Sequence, residues 1–119
     1  MIGFDIEHIS RIKNEERLLK KIATENEKAY IEKFKNKKEK VATLWAFKEA
    51  VFKALNVKKE KISYKDIELC HLENGKPVAL LHNEASVLLN GKTIEISLTH
   101  TKDIVGAVAI IFNDVKENK

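Results

Sequence analysis

The run Val41-Ala42-Thr43-Leu44-Trp45-Ala46-Phe47-Lys48-Glu49-Ala50-Val51-Phe52-Lys53-Ala54-Leu55 decides the fold. Ala, Leu, Lys and Glu are good helix formers, and no Gly or Pro interrupts them, so the spacing predicts a helix from Glu39 to Leu55. At about 100° per residue, Val41, Leu44, Trp45, Phe52 and Leu55 share one apolar face. Lys48 falls in the middle of that face, and Glu49 and Lys53 sit one turn apart on its rim. An ammonium on an apolar stripe is expensive unless something negative meets it, either another side chain or a bound anion. Asn56 follows as a C-cap, since Asn tolerates the left-handed backbone that ends a helix.

Before this helix, Ile2, Phe4 and Ile6 alternate with Gly3, Asp5 and Glu7. That is a strand with an apolar face and a face carrying two carboxylates. Between Arg11 and Lys37 the chain is Lys/Glu-rich and reads as two helices broken near Thr24, which caps the second with Glu27 three residues on. After Asn56 the period drops to 2. Ile67 and Leu69 face one way, and Asn74-Gly75 is a hairpin turn with Pro77 opening the return strand to Leu81. Asn83 to Leu89 reads as a short helix, and Ile94, Ile96 and Leu98 as another strand. The continuous apolar run Ile104 to Phe112 is expected to be a strand covered on both faces. Lys116 to Lys119 reads as a frayed tail. The expected class is α+β, with helices in the first half packed on an antiparallel sheet, in one domain spanning residues 1–119.

The 119 residues are 44% hydrophobic, which fits a folded domain rather than a disordered chain. The net charge of +4 is unevenly placed, because residues 13–40 hold ten Lys/Arg against six Asp/Glu and the remainder balances. Such a segment attracts acidic partners. The interleaved aromatics of a base-stacking platform are missing, so nucleic acid is not expected. Cys70 is the only cysteine, which suits a reducing compartment. Asp5, Glu7 and Arg11 break up any apolar signal segment, and the longest apolar run is far short of the roughly 20 residues of a spanning helix. A cytoplasmic protein with no membrane partner is expected.

Three clusters could carry chemistry. They are Asp5, the trio Lys48, Glu49 and Lys53, and the strand end Ser97-Leu98-Thr99-His100-Thr101. Two carboxylates suffice to anchor Mg²⁺, which takes oxygen ligands and keeps waters and substrate phosphates in its other positions. Nearby lysines would neutralise a phosphate ligand, more strongly if partly buried. The four histidines and Cys70 show no zinc spacing, and there is no Walker A loop, Rossmann glycine pattern or nucleophile elbow.

Together the clusters resemble the holo-(acyl-carrier-protein) synthases, the small bacterial type of 4'-phosphopantetheinyl transferase. Gly3-Phe4-Asp5-Ile6 is similar to that family's opening. Trp45-Ala46-Phe47-Lys48-Glu49-Ala50 followed by Lys53-Ala54 matches its central signature. Asp66-Ile67-Glu68, Asn74-Gly75-Lys76-Pro77 and Ser97-Leu98-Thr99-His100-Thr101 match further elements, so the resemblance spans nearly the whole chain.

The resemblance implies transfer of the phosphopantetheine arm of coenzyme A to a serine of apo acyl carrier protein, releasing adenosine 3',5'-bisphosphate. It implies Mg²⁺ held by Asp5 and Glu49, with Asp5, Glu49 and Lys53 as catalytic residues. Lys48 and Lys53 would meet coenzyme A phosphates, and Asn74, Gly75, Lys76, Pro77, Ser97, His100 and Thr101 would line the rest of that site. It implies a homotrimer with active sites at subunit interfaces. Its carrier protein is strongly acidic, which gives Arg11, and more loosely Arg17, Lys20 and Lys21, a partner. Two positions depart from the family pattern. Leu44 stands where many members have Arg, and Asn56 where Gly is usual, which implies a lost phosphate contact and a stiffer loop over Val57 to Lys61. A non-catalytic basic binding module is the competing reading. It accounts for the charge at residues 13–40 but gives no role to Asp5 or Lys48.

Overall fold

The computed structural model describes residues 1–114, so the expected tail at Lys116 to Lys119 lies outside the described residues. Five strands and four α-helices follow in the order β1 (Ile2–His8), α1 (Glu15–Ile22), α2 (Glu25–Glu32), α3 (Lys37–Leu55), β2 (Ile67–His71), β3 (Pro77–Leu81), α4 (Asn83–Leu89), β4 (Thr93–His100) and β5 (Ile104–Phe112). The local signals account for most boundaries. Thr24 accepts from the Glu27 backbone while the Glu27 carboxylate accepts from the Thr24 N–H, a complete capping box. Asn56 ends α3 at φ 53°, in the left-handed region. Gly75 takes φ +89° in the β2–β3 turn, where a side chain would be strained.

The strands form two antiparallel sheets, one ordered β1-β5-β4 and a separate β2-β3 hairpin. Helix α3 lies between them and is buried on nearly every side. It is therefore the core of the molecule and not the amphipathic surface helix that one apolar face suggested. Phe47 and Val51 are sealed along with Val41 and Leu44. Leu44 belongs to this core, so it offers no phosphate contact.

Strand β1 reverses the expected orientation. Gly3 and Asp5 turn inward against α3, while Ile2, Phe4 and Ile6 are 66%, 57% and 54% exposed. The cause is close approach. A Cβ at Gly3 would stand 1.9 Å from the Ala50 carbonyl oxygen and 2.5 Å from the Ala54 nitrogen, so only glycine lets the strand meet the helix there. The register pairs Ile2 with Ile110 and Phe4 with Val108, which carries the open apolar face onto β5. Strand β5 is thus covered on one face only, through Val105, Ala107, Ala109 and Ile111, while Ile110 and Phe112 remain exposed. Among the described residues no helix is long and apolar enough to cross a membrane.

Candidate active site

The inward face of β1 delivers a carboxylate to the C-terminal half of α3. Asp5 is buried, with Ala107 as its neighbour on β5. Its Oδ1 accepts from Lys53 Nζ at 2.9 Å, and the same ammonium donates to the Phe4 carbonyl at 3.0 Å. One turn earlier on α3, the buried Glu49 pairs with Lys59 through Oε1 and receives the Tyr64 hydroxyl at 3.4 Å. The helical pair expected between Glu49 and Lys53 is thus replaced by two longer-range pairs, because Asp5 and Lys59 are better placed.

A third carboxylate joins them. Burial pushes the Glu7 carboxyl up to about 7, and the negative charges of Asp5 and Glu49 push the same way. Asp5 and Glu49 thus act on one neighbourhood. On Lys59, burial works against the charge, but its bonds to Glu49 and Tyr64 outweigh that and hold the ammonium above the usual lysine range.

These residues fit a hard divalent cation. Asp5 Oδ2 is buried and has no hydrogen-bond partner, a costly condition for a carboxylate oxygen unless a cation meets it. The donors on offer are carboxylate oxygens, the ligand type Mg²⁺ prefers. Among the described residues no three His, Cys, Asp or Glu side chains form a ready metal-holding group. Two protein carboxylates completed by water and phosphate oxygens is the arrangement this ion commonly accepts.

Lys48 corrects the expectation that it meets a phosphate. Its side chain is wholly buried, and its ammonium donates to Glu27 Oε1 at 2.7 Å, to the Tyr64 carbonyl at 2.9 Å and to the Ile67 carbonyl at 2.7 Å. An ammonium has three protons, and all three are used. Burial pulls Lys48 below the usual lysine value while Glu27 opposes that pull. Glu27 Oε2 also accepts from the Leu69 backbone at 2.7 Å. Lys48 therefore ties α3 to α2 and β2 and has no face toward a ligand.

The residues expected to line the rest of a coenzyme A site gather elsewhere. Gly75, Pro77 and His100 border a cleft with Tyr30, Glu39 and Lys40. His100 Nδ1 lies 3.7 Å from Glu39, and Tyr30 stacks on His71 with ring centroids 4.0 Å apart. Asn74 and Lys76 are exposed at the hairpin tip, where Asn74 accepts from the Lys76 backbone. Ser97 pairs with Val108 across the sheet and points with it to the open apolar face. The Thr101 hydroxyl is used locally, accepting from the Asp103 and Ile104 backbones. Glu39 and Glu49 are ten residues apart on one helix, so this cleft lies roughly 15 Å along α3 from the carboxylates.

The basic residues partly converge. Arg11, Arg17 and Lys21 line one cleft with Glu7 and Trp45, while Lys20 sits exposed on α1 outside it. Sequence reasoning missed Glu27, read only as a capping residue, and Lys59, buried in the run Lys58-Lys59-Glu60-Lys61. It also missed Glu7, although its position two residues after Asp5 puts both on one strand face.

The family model described as 4'-phosphopantetheinyl transferase superfamily (ACPS) matches residues 1–109. The chain belongs to that superfamily. It is similar to the holo-(acyl-carrier-protein) synthase of Caldanaerobacter subterraneus subsp. tengcongensis, 36% identical over 92% of this chain and 91% of that enzyme. The Moorella thermoacetica synthase is 36% identical over 97% and 95%. Among solved structures, Helicobacter pylori holo-(acyl-carrier-protein) synthase in complex with coenzyme A superposes with a TM-score of 0.82 at 27% identity, covering 94% of this chain and all of that one. The Bacillus anthracis synthase with coenzyme A (3',5'-ADP) gives 0.82 at 27%, covering 95% and 96%. The chain is thus a phosphopantetheinyl transferase of the holo-(acyl-carrier-protein) synthase kind, and the non-catalytic binding module is set aside.

Proposed function

We propose that this enzyme moves the 4'-phosphopantetheine arm of coenzyme A to a serine of apo acyl carrier protein, with Mg²⁺ held by Asp5 and Glu49 and adenosine 3',5'-bisphosphate released. The observation that carries the metal reading is the unpartnered, buried Asp5 Oδ2 beside a second carboxylate. Mg²⁺ bound there would act as a Lewis acid on the diphosphate of coenzyme A. Asp5 is oriented for this by Lys53, whose ammonium also partly neutralises the charge brought by a phosphate. The buried wall of α3 and Ala107 behind Asp5 limits water and keeps the carboxylate fixed. Positioning and electrostatic stabilisation do most of the work in phosphoryl-type transfer, so a preset carboxylate pair suits the reaction.

The carrier protein is read as docking on Arg11, Arg17 and Lys21, which border the cleft reaching Glu7, with Lys20 adding charge on the same helix. An acidic partner steered to this rim arrives next to the carboxylates.

We further infer a homotrimer, as the resemblance implies. Ile2, Phe4, Ile6, Ile110 and Phe112 form an exposed apolar face on the three-stranded sheet, of the kind that marks an interface. The two half-sites lie apart within one chain, and a neighbouring subunit could supply the second half to the first. Sedimentation as a monomer at micromolar concentration would contradict this assembly.

The test of the activity is intact-mass spectrometry of apo acyl carrier protein after incubation with the enzyme, coenzyme A and Mg²⁺. Addition of one phosphopantetheine arm is expected, with none in EDTA. Absence of the adduct on every carrier tried would overturn the proposed reaction, and an adduct formed equally in EDTA would overturn the metal.

A further inference from the structure

Taking Asp5 and Glu49 as the carboxylates for the metal, as proposed above, we propose that Lys59 is a resident counter-cation that competes with the divalent ion for Glu49. The two carboxylates are served by different kinds of lysine. Lys53 belongs to α3 and is fastened twice, to Asp5 and to the Phe4 carbonyl. Lys59 comes from a three-residue turn, Lys59–Lys61, whose start has no side-chain cap. It reaches across to Glu49 Oε1, the oxygen that also receives the Tyr64 hydroxyl.

The ammonium of Lys59 rests in a cage of ring faces. Its Nζ lies 5.4 Å from the Trp45 centroid, 5.6 Å from Tyr64 and 6.0 Å from Phe52. Aromatic faces stabilise a cation without bringing a competing negative charge. The Lys59 side chain is 48% exposed, so the pair can open without breaking the core. A dication ligated by Glu49 must either displace this ammonium or tolerate a like charge at close range. The displaced lysine stays in a cleft with Lys53 and Lys58, where an anion is its natural partner. Lys59 thus keeps Glu49 neutralised until metal arrives, at a cost in metal affinity.

Mn²⁺ binding to the full-length chain, followed by electron paramagnetic resonance without any substrate, tests this. Lys59→Met is expected to tighten Mn²⁺ binding roughly two- to fivefold, the range of a half-exposed ion pair, while Lys59→Arg leaves it near wild type. Glu49→Gln is expected to weaken binding more than about tenfold. Trp45, the only tryptophan, gives a second readout. Its emission should shift on Mg²⁺ addition in the wild type as the ammonium leaves the ring, and the shift should vanish in Lys59→Met. Unchanged or weaker Mn²⁺ binding by Lys59→Met, with Glu49→Gln still defective, would overturn the competition and leave the metal reading intact. Glu49→Gln binding Mn²⁺ as well as wild type would overturn the metal reading and the competition with it.

Discussion

Lys48 and Lys53 lie five residues apart on α3, each paired with a carboxylate, yet one pair is closed and the other open. Around Lys48 every donor is used, and Glu27 serves Lys48, the Leu69 backbone and the Thr24 cap together. Around Lys53, Asp5 keeps one buried oxygen unpartnered, and Glu49 is held by a lysine from a short loop. The difference separates a pair that builds the fold from a pair that awaits a ligand. Saturation is the physical marker, because a buried polar group left unsatisfied is costly and persists where something else will satisfy it.

The sharpest way to break this contrast is Lys48→Met. Removing one partner of a buried pair leaves Glu27 uncompensated, so a loss of about 3–5 kcal/mol in unfolding free energy is expected. Adding Glu27→Gln should recover part of it. Chemical denaturation measures both, and a loss below about 1 kcal/mol would show that Lys48 is not the tie described.

Glu49→Gln should act in the opposite manner, lowering kcat by at least about a hundredfold, or roughly 2.7 kcal/mol, while the melting temperature stays near wild type. A stable variant with full activity would move the metal away from this carboxylate.

The open cluster also predicts a pH dependence that the closed pair lacks. In metal-free protein the Glu7 carboxyl sits at about 7, above its ordinary 4.5. Between those values the folded chain keeps a proton that the unfolded chain has released, so stability falls as pH rises and levels off above about 7. Glu7→Gln should flatten that slope in thermal melts taken in EDTA. A slope that survives the substitution would have another origin.

The smallest effect is expected at the rim. Arg11→Glu should raise KM for the carrier protein severalfold, by on the order of 1 kcal/mol, with little change for coenzyme A. An unchanged carrier KM would remove Arg11 from the docking surface.

Much of this contrast was not legible in the sequence. Helix α3, the Thr24 capping box, the Asn74-Gly75 turn and the Asn56 cap are local, and local chemistry shows them. The partner of Lys48 is 21 residues away, and no spacing rule links it to Glu27. Alternation in β1 distinguishes two faces but does not say which turns inward. That choice falls to Gly3 meeting Ala50 and Ala54, together with an apolar face left open on the single chain. Family resemblance picked out Asp5, Glu49 and Lys53, which fall together, and also Lys48, which the structure removes to the core. Lys59 could not have been found, since one lysine in Lys58-Lys59-Glu60-Lys61 reads like any other.

The most direct test is anomalous diffraction at the manganese edge from crystals grown with Mn²⁺ and coenzyme A. The account predicts one peak within about 2.0–2.3 Å of a carboxylate oxygen of Asp5 and of Glu49, with Lys48 still enclosed by Glu27. A manganese ion bound away from both carboxylates, or held by the diphosphate alone, would contradict it.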